Sequence, residues 1–110
     1  MRCCKEDVET FLQDMRLALD KEQYSCADRP KNMYTLSMLG WKWDDAVDEL
    51  RDLSYRDYIC GPEIDVDYPY DDEFWIFKRL IQRHVIYIKL KIRYSSDRSV
   101  LLFSFHLDHM

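Results

Sequence analysis

Glycine and proline are scarce, two and three residues in a chain of 110. With 47% hydrophobic residues, that scarcity excludes a disordered tail or a flexible linker. No apolar run approaches the ~20 residues needed to cross a bilayer. The acidic amino-terminal segment also lacks the charge pattern and apolar stretch of a signal peptide, so a cytoplasmic protein without membrane contact is expected. The cysteines, Cys3, Cys4, Cys26 and Cys60, contain no Cys-x-x-Cys pair. Neither zinc-ligand spacing nor a disulfide framework is evident, and reduced thiols are expected. Repeats and low-complexity segments are missing too. One hydrophobic core is the usual solution at this length, so residues 1–110 are expected to form one domain.

An excess of positive charge is also lacking: 16 Lys and Arg face 21 Asp and Glu, a net charge of −5. For the molecule as a whole this argues against a nucleic-acid ligand. The distribution reverses that reading locally. Residues 1–59 carry 9 basic and 13 acidic side chains, residues 60–73 carry none and 6, and residues 74–110 carry 7 and 2. His84, His106 and His109 also fall in the last segment, which is therefore able to attract a polyanion that the rest of the chain repels.

What is present is periodicity. Val8, Phe11, Leu12, Met15 and Leu19 recur at three- and four-residue steps and predict an amphipathic helix over 5–21. Tyr24 to Pro30 reads as a break. Met33, Leu36 and Leu39 mark a short second helix closed by Gly40. A third runs from about Asp44 to Leu53, with Ala46, Val47, Leu50 and Leu53 as its stripe and acids at its positive end. Ser54 to Asp57 resembles a capping box opening a short turn that ends at Gly61-Pro62. Residues 62–73 form an acidic, Tyr-rich loop of a length that is usually functional or mobile. Three segments rich in aromatic and β-branched residues follow, Phe74–Lys78, His84–Tyr94 and Ser99–Leu107. The expected fold class is α+β: amino-terminal helices packed on a small carboxy-terminal antiparallel sheet, a three-stranded meander.

The second strand carries the chemistry. Ile86, Ile88, Leu90 and Ile92 point one way, Tyr87, Lys89, Lys91 and Arg93 the other. In the third strand Leu101, Phe103, Phe105 and Leu107 form the apolar set, leaving Val100, Leu102, Ser104 and His106 opposite. Matching apolar faces across a turn centred on Ser96-Asp97 sets Ile86 against Leu107 and Leu90 against Phe103 on the core side. It sets Tyr87 against His106 and Lys89 against Ser104 on the other.

A phenol, an imidazole and a row of cations suit phosphodiester chemistry on RNA. A base takes a proton from a ribose 2′-hydroxyl, cations stabilise the pentacoordinate phosphorus, and an acid protonates the leaving oxygen. With the 2′-hydroxyl as nucleophile, the reaction requires neither metal nor cofactor. His106, Tyr87 and Lys89 are the catalytic candidates, and Lys78, Lys91, Arg93 and Ser104 the RNA-binding ones. Alternating Lys and Arg are also the ordinary pattern of a solvated strand face, and a histidine near a terminus is ordinarily a surface residue. The competing reading is therefore a non-catalytic protein-interaction module that docks an acidic segment on its cationic sheet.

Leu39-Gly40, Leu53-Ser54, Asp57-Tyr58, Gly61-Pro62, Trp75-Ile76-Phe77, Val85-Ile86-Tyr87-Ile88-Lys89 and Ser104-Phe105-His106 occur in that order over residues 36–107. In this the chain resembles the MqsR family of bacterial toxin–antitoxin ribonucleases, within the RelE-like toxins. The resemblance implies an endoribonuclease acting on messenger RNA, a cognate antitoxin as partner, and helices on an antiparallel sheet. Tyr87 then matches the family's functional tyrosine, and His106 stands where some members have a catalytic lysine and others a histidine. The chain departs at Cys60, where some members place a functional lysine, and at Ile76, where they have a glutamine. Lys78, on the same side of its strand as Ile76, is a candidate replacement cation. The acidic loop either folds over Lys89, Lys91 and Arg93 or points away. Exposed charge pairs are weak, so an external inhibitor on the Tyr87, Lys89 and His106 face is the favoured expectation.

Overall fold

The computed structural model describes residues 2–110. Helix α1, Lys5–Asp20, buries Val8, Phe11, Leu12, Met15, Ala18 and Leu19, the face its periodicity defines, and carries Glu6 and Asp7 at its positive end. Helix α2, Pro30–Leu39, begins on a proline, which fits the first turn because its missing N–H has no helical acceptor there. Gly40 ends it at φ +71°, a left-handed conformation costly for other residues, and Trp41 N–H closes back on Leu36 O at 2.8 Å. Helix α3, Trp43–Leu50, is shorter than its stripe predicts. Its first turn is tied by Asp45 Oδ2 accepting from Lys42 N–H at 2.9 Å. A single 3-10 turn, Tyr55–Asp57, follows, opened by Ser54 N–H donating to Asp57 Oδ2 at 3.0 Å.

The sheet differs from the expected three-stranded meander. Five strands, β1 Tyr24–Cys26, β2 Tyr58–Glu63, β3 Phe74–Ile81, β4 His84–Ile92 and β5 Val100–Leu107, form one mixed sheet in the order β1-β5-β4-β3-β2. The three expected segments are its middle strands, so the general α+β class holds while the strand count and the purely antiparallel pairing do not. Both additional strands are edges. β1 runs parallel to β5 through three residues, Tyr24 to Cys26 against Val100 to Leu102. β2 pairs with β3 through two register shifts. Gly61, read as a turn, lies inside β2 at φ +121°, and a Cβ there would sit 2.9 Å from Phe74 O. Only glycine lets the two backbones approach this closely.

Strands β3 and β4 are joined by a two-residue turn, Gln82 and Arg83, both at positive φ. The remaining edge of β5 is finished by side chains of α2. Asn32 donates to Phe103 O at 3.0 Å and accepts from Phe105 N–H at 2.9 Å, and Thr35 Oγ1 accepts from Leu107 N–H at 3.2 Å. Both are fully buried and act as a substitute strand, leaving those edge groups satisfied.

All three helices cover one face of the sheet. Their stripes join Phe77, Ile81, Ile86, Ile88, Leu90, Ile92, Val100, Leu102, Phe105 and Leu107 in one core. Leu101 and Phe103, expected in that core, are outside it. The register runs Ile92↔Val100, Lys91↔Leu101 and Leu90↔Leu102, then shifts by one residue, so that Lys89 faces Ser104 and Tyr87 faces His106. Phe103 is the extra residue of this bulge. Such an insertion reverses which side chains point inward, so Val100 and Leu102 are core before it and Phe105 and Leu107 after it. Leu90 accordingly meets Leu102, not Phe103. No helix among the described residues is long and apolar enough to cross a membrane.

Candidate nucleic-acid interface

The helix-free face of the sheet carries the sequence-predicted residues in cross-strand rows. One row is Lys78, Tyr87 and His106, from β3, β4 and β5; the next is Ile76, Lys89 and Ser104. The Tyr87 and His106 rings stack with centroids 5.3 Å apart and planes 25° apart. His106 is only 8% exposed, and its Nδ1 lies 2.8 Å from Leu107 O. A carbonyl can only accept, so Nδ1 carries a proton and donates, which leaves Nε2 as the acceptor nitrogen of the neutral ring. No buried side-chain nitrogen or oxygen among the described residues lacks a partner. Nε2, which has none, is therefore not completely buried. Burial pushes the Tyr87 hydroxyl above the ordinary tyrosine value, and Glu63, Cys60 and Asp108 push it further against the opposing charge of Arg29. Tyr87 is thus a neutral phenol at physiological pH, able to donate a proton or hydrogen bond.

The cations of this face have separate fates. Lys78 is paired with Asp108 at 3.0 Å, both partly exposed. Lys91, expected on phosphates, is 2% exposed beneath the acidic loop, its Nζ 3.0 Å from both Asp65 Oδ2 and Asp71 Oδ2. The loop therefore folds onto the sheet, at its Lys91 end. Burial would lower the Lys91 ammonium, but hydrogen bonds to Asp65 and Asp71 outweigh it and hold the group above its ordinary value. Burial would likewise raise Asp65, yet Lys91 and the N–H groups of Asp67 and Tyr68 hold it low. Asp71 is lowered by the Asp72 N–H first and Lys91 second. Asp72 adds a bond from Ser95 Oγ at 2.7 Å, fixing the loop to the β4–β5 turn. Arg93 lies past the end of β4, where its N–H donates to Ser99 O.

Lys89 is different. It has no ion-pair partner among the described residues, and its Nζ sits 4.8 Å from the Phe74 ring centroid and 5.6 Å from that of Phe103. Sequence reasoning missed Arg29. It stands just before α2, its guanidinium 4.1 Å from the Phe103 centroid and its Nη1 2.9 Å from Ser104 Oγ. Ser104 is buried and reaches the face through this hydroxyl. Nothing local marks Arg29 in the sequence, because α2 and the β5 bulge bring it there from 75 residues away.

At the two positions of departure, Cys60 lies opposite Ile76. The Cys60 thiol donates to Glu63 Oε1 at 3.1 Å, and burial, with that bond and the Glu63 charge, pushes it above the ordinary thiol value. Ile76 is buried beside Lys89. No three His, Cys, Asp or Glu side chains among the described residues converge as a metal site. Compared with known proteins, the chain matches no family model, no curated protein and no solved structure.

Proposed function

We propose that this chain is a messenger-RNA endonuclease of the RelE-like kind, the toxin of a toxin–antitoxin pair acting in the cytoplasm. The observation that carries the reading is the stacked Tyr87–His106 pair with an unpaired Lys89 one row away on the helix-free face of the sheet. His106 Nε2 takes the proton of the ribose 2′-hydroxyl, Lys89 meets charge developing on phosphorus, and the Tyr87 phenol protonates the departing 5′-oxygen. Every group required is an amino-acid side chain, and RNA supplies the nucleophile. The resemblance in residues 36–107 supports the same reading and adds a protein antitoxin as partner.

The purified protein is expected to cleave single-stranded RNA in EDTA, leave a 2′,3′-cyclic phosphate and spare DNA. Intact RNA, or a product lacking the cyclic phosphate, would contradict the mechanism. One observation favours a second reading, a non-catalytic module that binds acidic protein segments: Asp65 and Asp71 already dock on Lys91 of this face. Induced expression in bacteria separates the two, since a nuclease arrests growth and a binding module is tolerated.

A further inference from the structure

Two unpaired cations share one aromatic ring on this face. Arg29 and Lys89 both lie against Phe103, and the first also holds the hydroxyl of Ser104. Arg29 is an unusual residue to stand before a helix. It places a positive charge at the positive end of α2, whose first turn contains no acid and whose cap position makes no side-chain hydrogen bond. Folding alone favours an Asp or Ser there. Neither Arg29 nor Lys89 has an ion-pair partner among the described residues, whereas Lys78 and Lys91 on the same face have one and two. Uncompensated cations, a helix positive end and a hydroxyl converging beside an imidazole and a phenol make an anion site.

We infer that Arg29, Lys89 and Ser104 form the phosphate-binding subsite of this face, with Arg29 as its principal cation. The site takes the phosphodiester of a single-stranded RNA. This rests on the ribonuclease reading and adds a residue to it. Nη1 of the guanidinium is engaged with Ser104 Oγ at 2.9 Å and Phe103 O at 3.4 Å, which orients the group and leaves Nε and Nη2 as the paired donors to phosphate oxygens. Ser104 sits next but one to His106 on β5, and Lys89 faces Ser104 across β4. A phosphate held there brings its 2′-hydroxyl side toward the Tyr87–His106 row.

The test uses a 2′-O-methyl RNA oligonucleotide, which binds but has no nucleophile, with affinity measured by fluorescence anisotropy across a salt series. Arg29→Gln is expected to weaken binding about tenfold and to reduce the slope of log affinity against log salt by about one. Lys21→Gln, the same charge change at the end of α1, is the control and shifts affinity by no more than about twofold. Arg29→Lys is expected to fall between wild type and Arg29→Gln, because it keeps the charge and loses the fork. If Arg29→Gln matches the Lys21→Gln control while the wild type cleaves RNA, the subsite is wrong and the nuclease stands. If binding depends on Arg29 but unmodified RNA survives, the subsite stands and the nuclease is wrong. Absence of any binding by the wild type at low salt overturns both.

Discussion

Lys89 and Lys91 are two residues apart on the same strand, point to the same side of the sheet, and live in opposite environments. Both ammoniums lie against the Phe74 ring, but Lys91 is sealed under an acidic loop with two carboxylates on it, whereas Lys89, which also reaches Phe103, has none. A cation buried with its counter-ions is a structural element, because its charge is already satisfied. An uncompensated cation beside a histidine and a tyrosine remains available to a ligand. The face thus divides into a clamped end that holds residues 64–73 in place and an open end, where Lys89 keeps no counter-ion and the proposed chemistry would take place. Alternation along β4 alone assigns both lysines the same role.

The largest effect is expected at the open end. His106→Ala should slow RNA cleavage roughly 10²- to 10⁴-fold in single-turnover assays, with the fold retained by circular dichroism. Undiminished activity would move the proton-transfer role to Tyr87 or Lys89 and erase the division. Next in size is the clamped end: Asp65→Ala leaves Lys91 buried with Asp71 alone and should lower unfolding free energy by about 2–3 kcal/mol in urea titrations, toward the low end for a broken buried pair. A loss below about 0.5 kcal/mol would show the loop is not anchored there.

The clamp also has a pH signature. Asp65 and Asp71 titrate below their ordinary value when folded, so the stability they contribute is complete above the ordinary aspartate range of about 4 and is lost as pH falls through their lowered values. Lys91 is shifted upward, so its contribution is complete below the ordinary lysine value of about 10.4 and fades as pH rises through the raised one. Amide hydrogen exchange of residues 64–73 should therefore accelerate relative to β4 in acid, below about pH 4, and be flat from about 5 to 9. Loop exchange that changes instead around neutral pH would point to a different anchor.

The smallest effect concerns Lys78, at the open end but paired near the surface with Asp108. Such a pair contributes no more than about 1 kcal/mol. Asp108→Asn should leave stability almost unchanged and raise affinity for 2′-O-methyl RNA by about two- to threefold, since it frees a cation on the proposed binding face. Unchanged affinity would exclude Lys78 from the RNA path.

Part of this architecture is legible in the sequence. The α1 stripe is legible because one helical face must be apolar to be buried, and the β4 alternation because cations and isoleucines sort so cleanly onto two faces. Tyr87 opposite His106 follows from matching those faces. The bulge does not follow, because Val100 and Leu102 are as apolar as Leu101 and Phe103, and either phase satisfies the pattern until Phe105 and Leu107 are fixed against α2. The edge strands are hidden for another reason: β1 is held to β5 through backbone groups over three residues, and β2 is interrupted by Gly61-Pro62, an ordinary turn signal. The loop clamp and Arg29 depend on tertiary approach between distant segments, about which local composition is silent.

The division between the two ends is tested most directly by one paired measurement, Lys89→Met against Lys91→Met, each assayed for 2′-O-methyl RNA affinity and for urea stability. Lys89→Met should weaken RNA binding about tenfold with stability within about 0.5 kcal/mol of wild type. Lys91→Met should cost about 3 kcal/mol of stability, by leaving Asp65 buried without its cation, and change the affinity of the folded protein by no more than about twofold. The reverse pattern, with RNA affinity lost at Lys91 and stability lost at Lys89, would contradict the account.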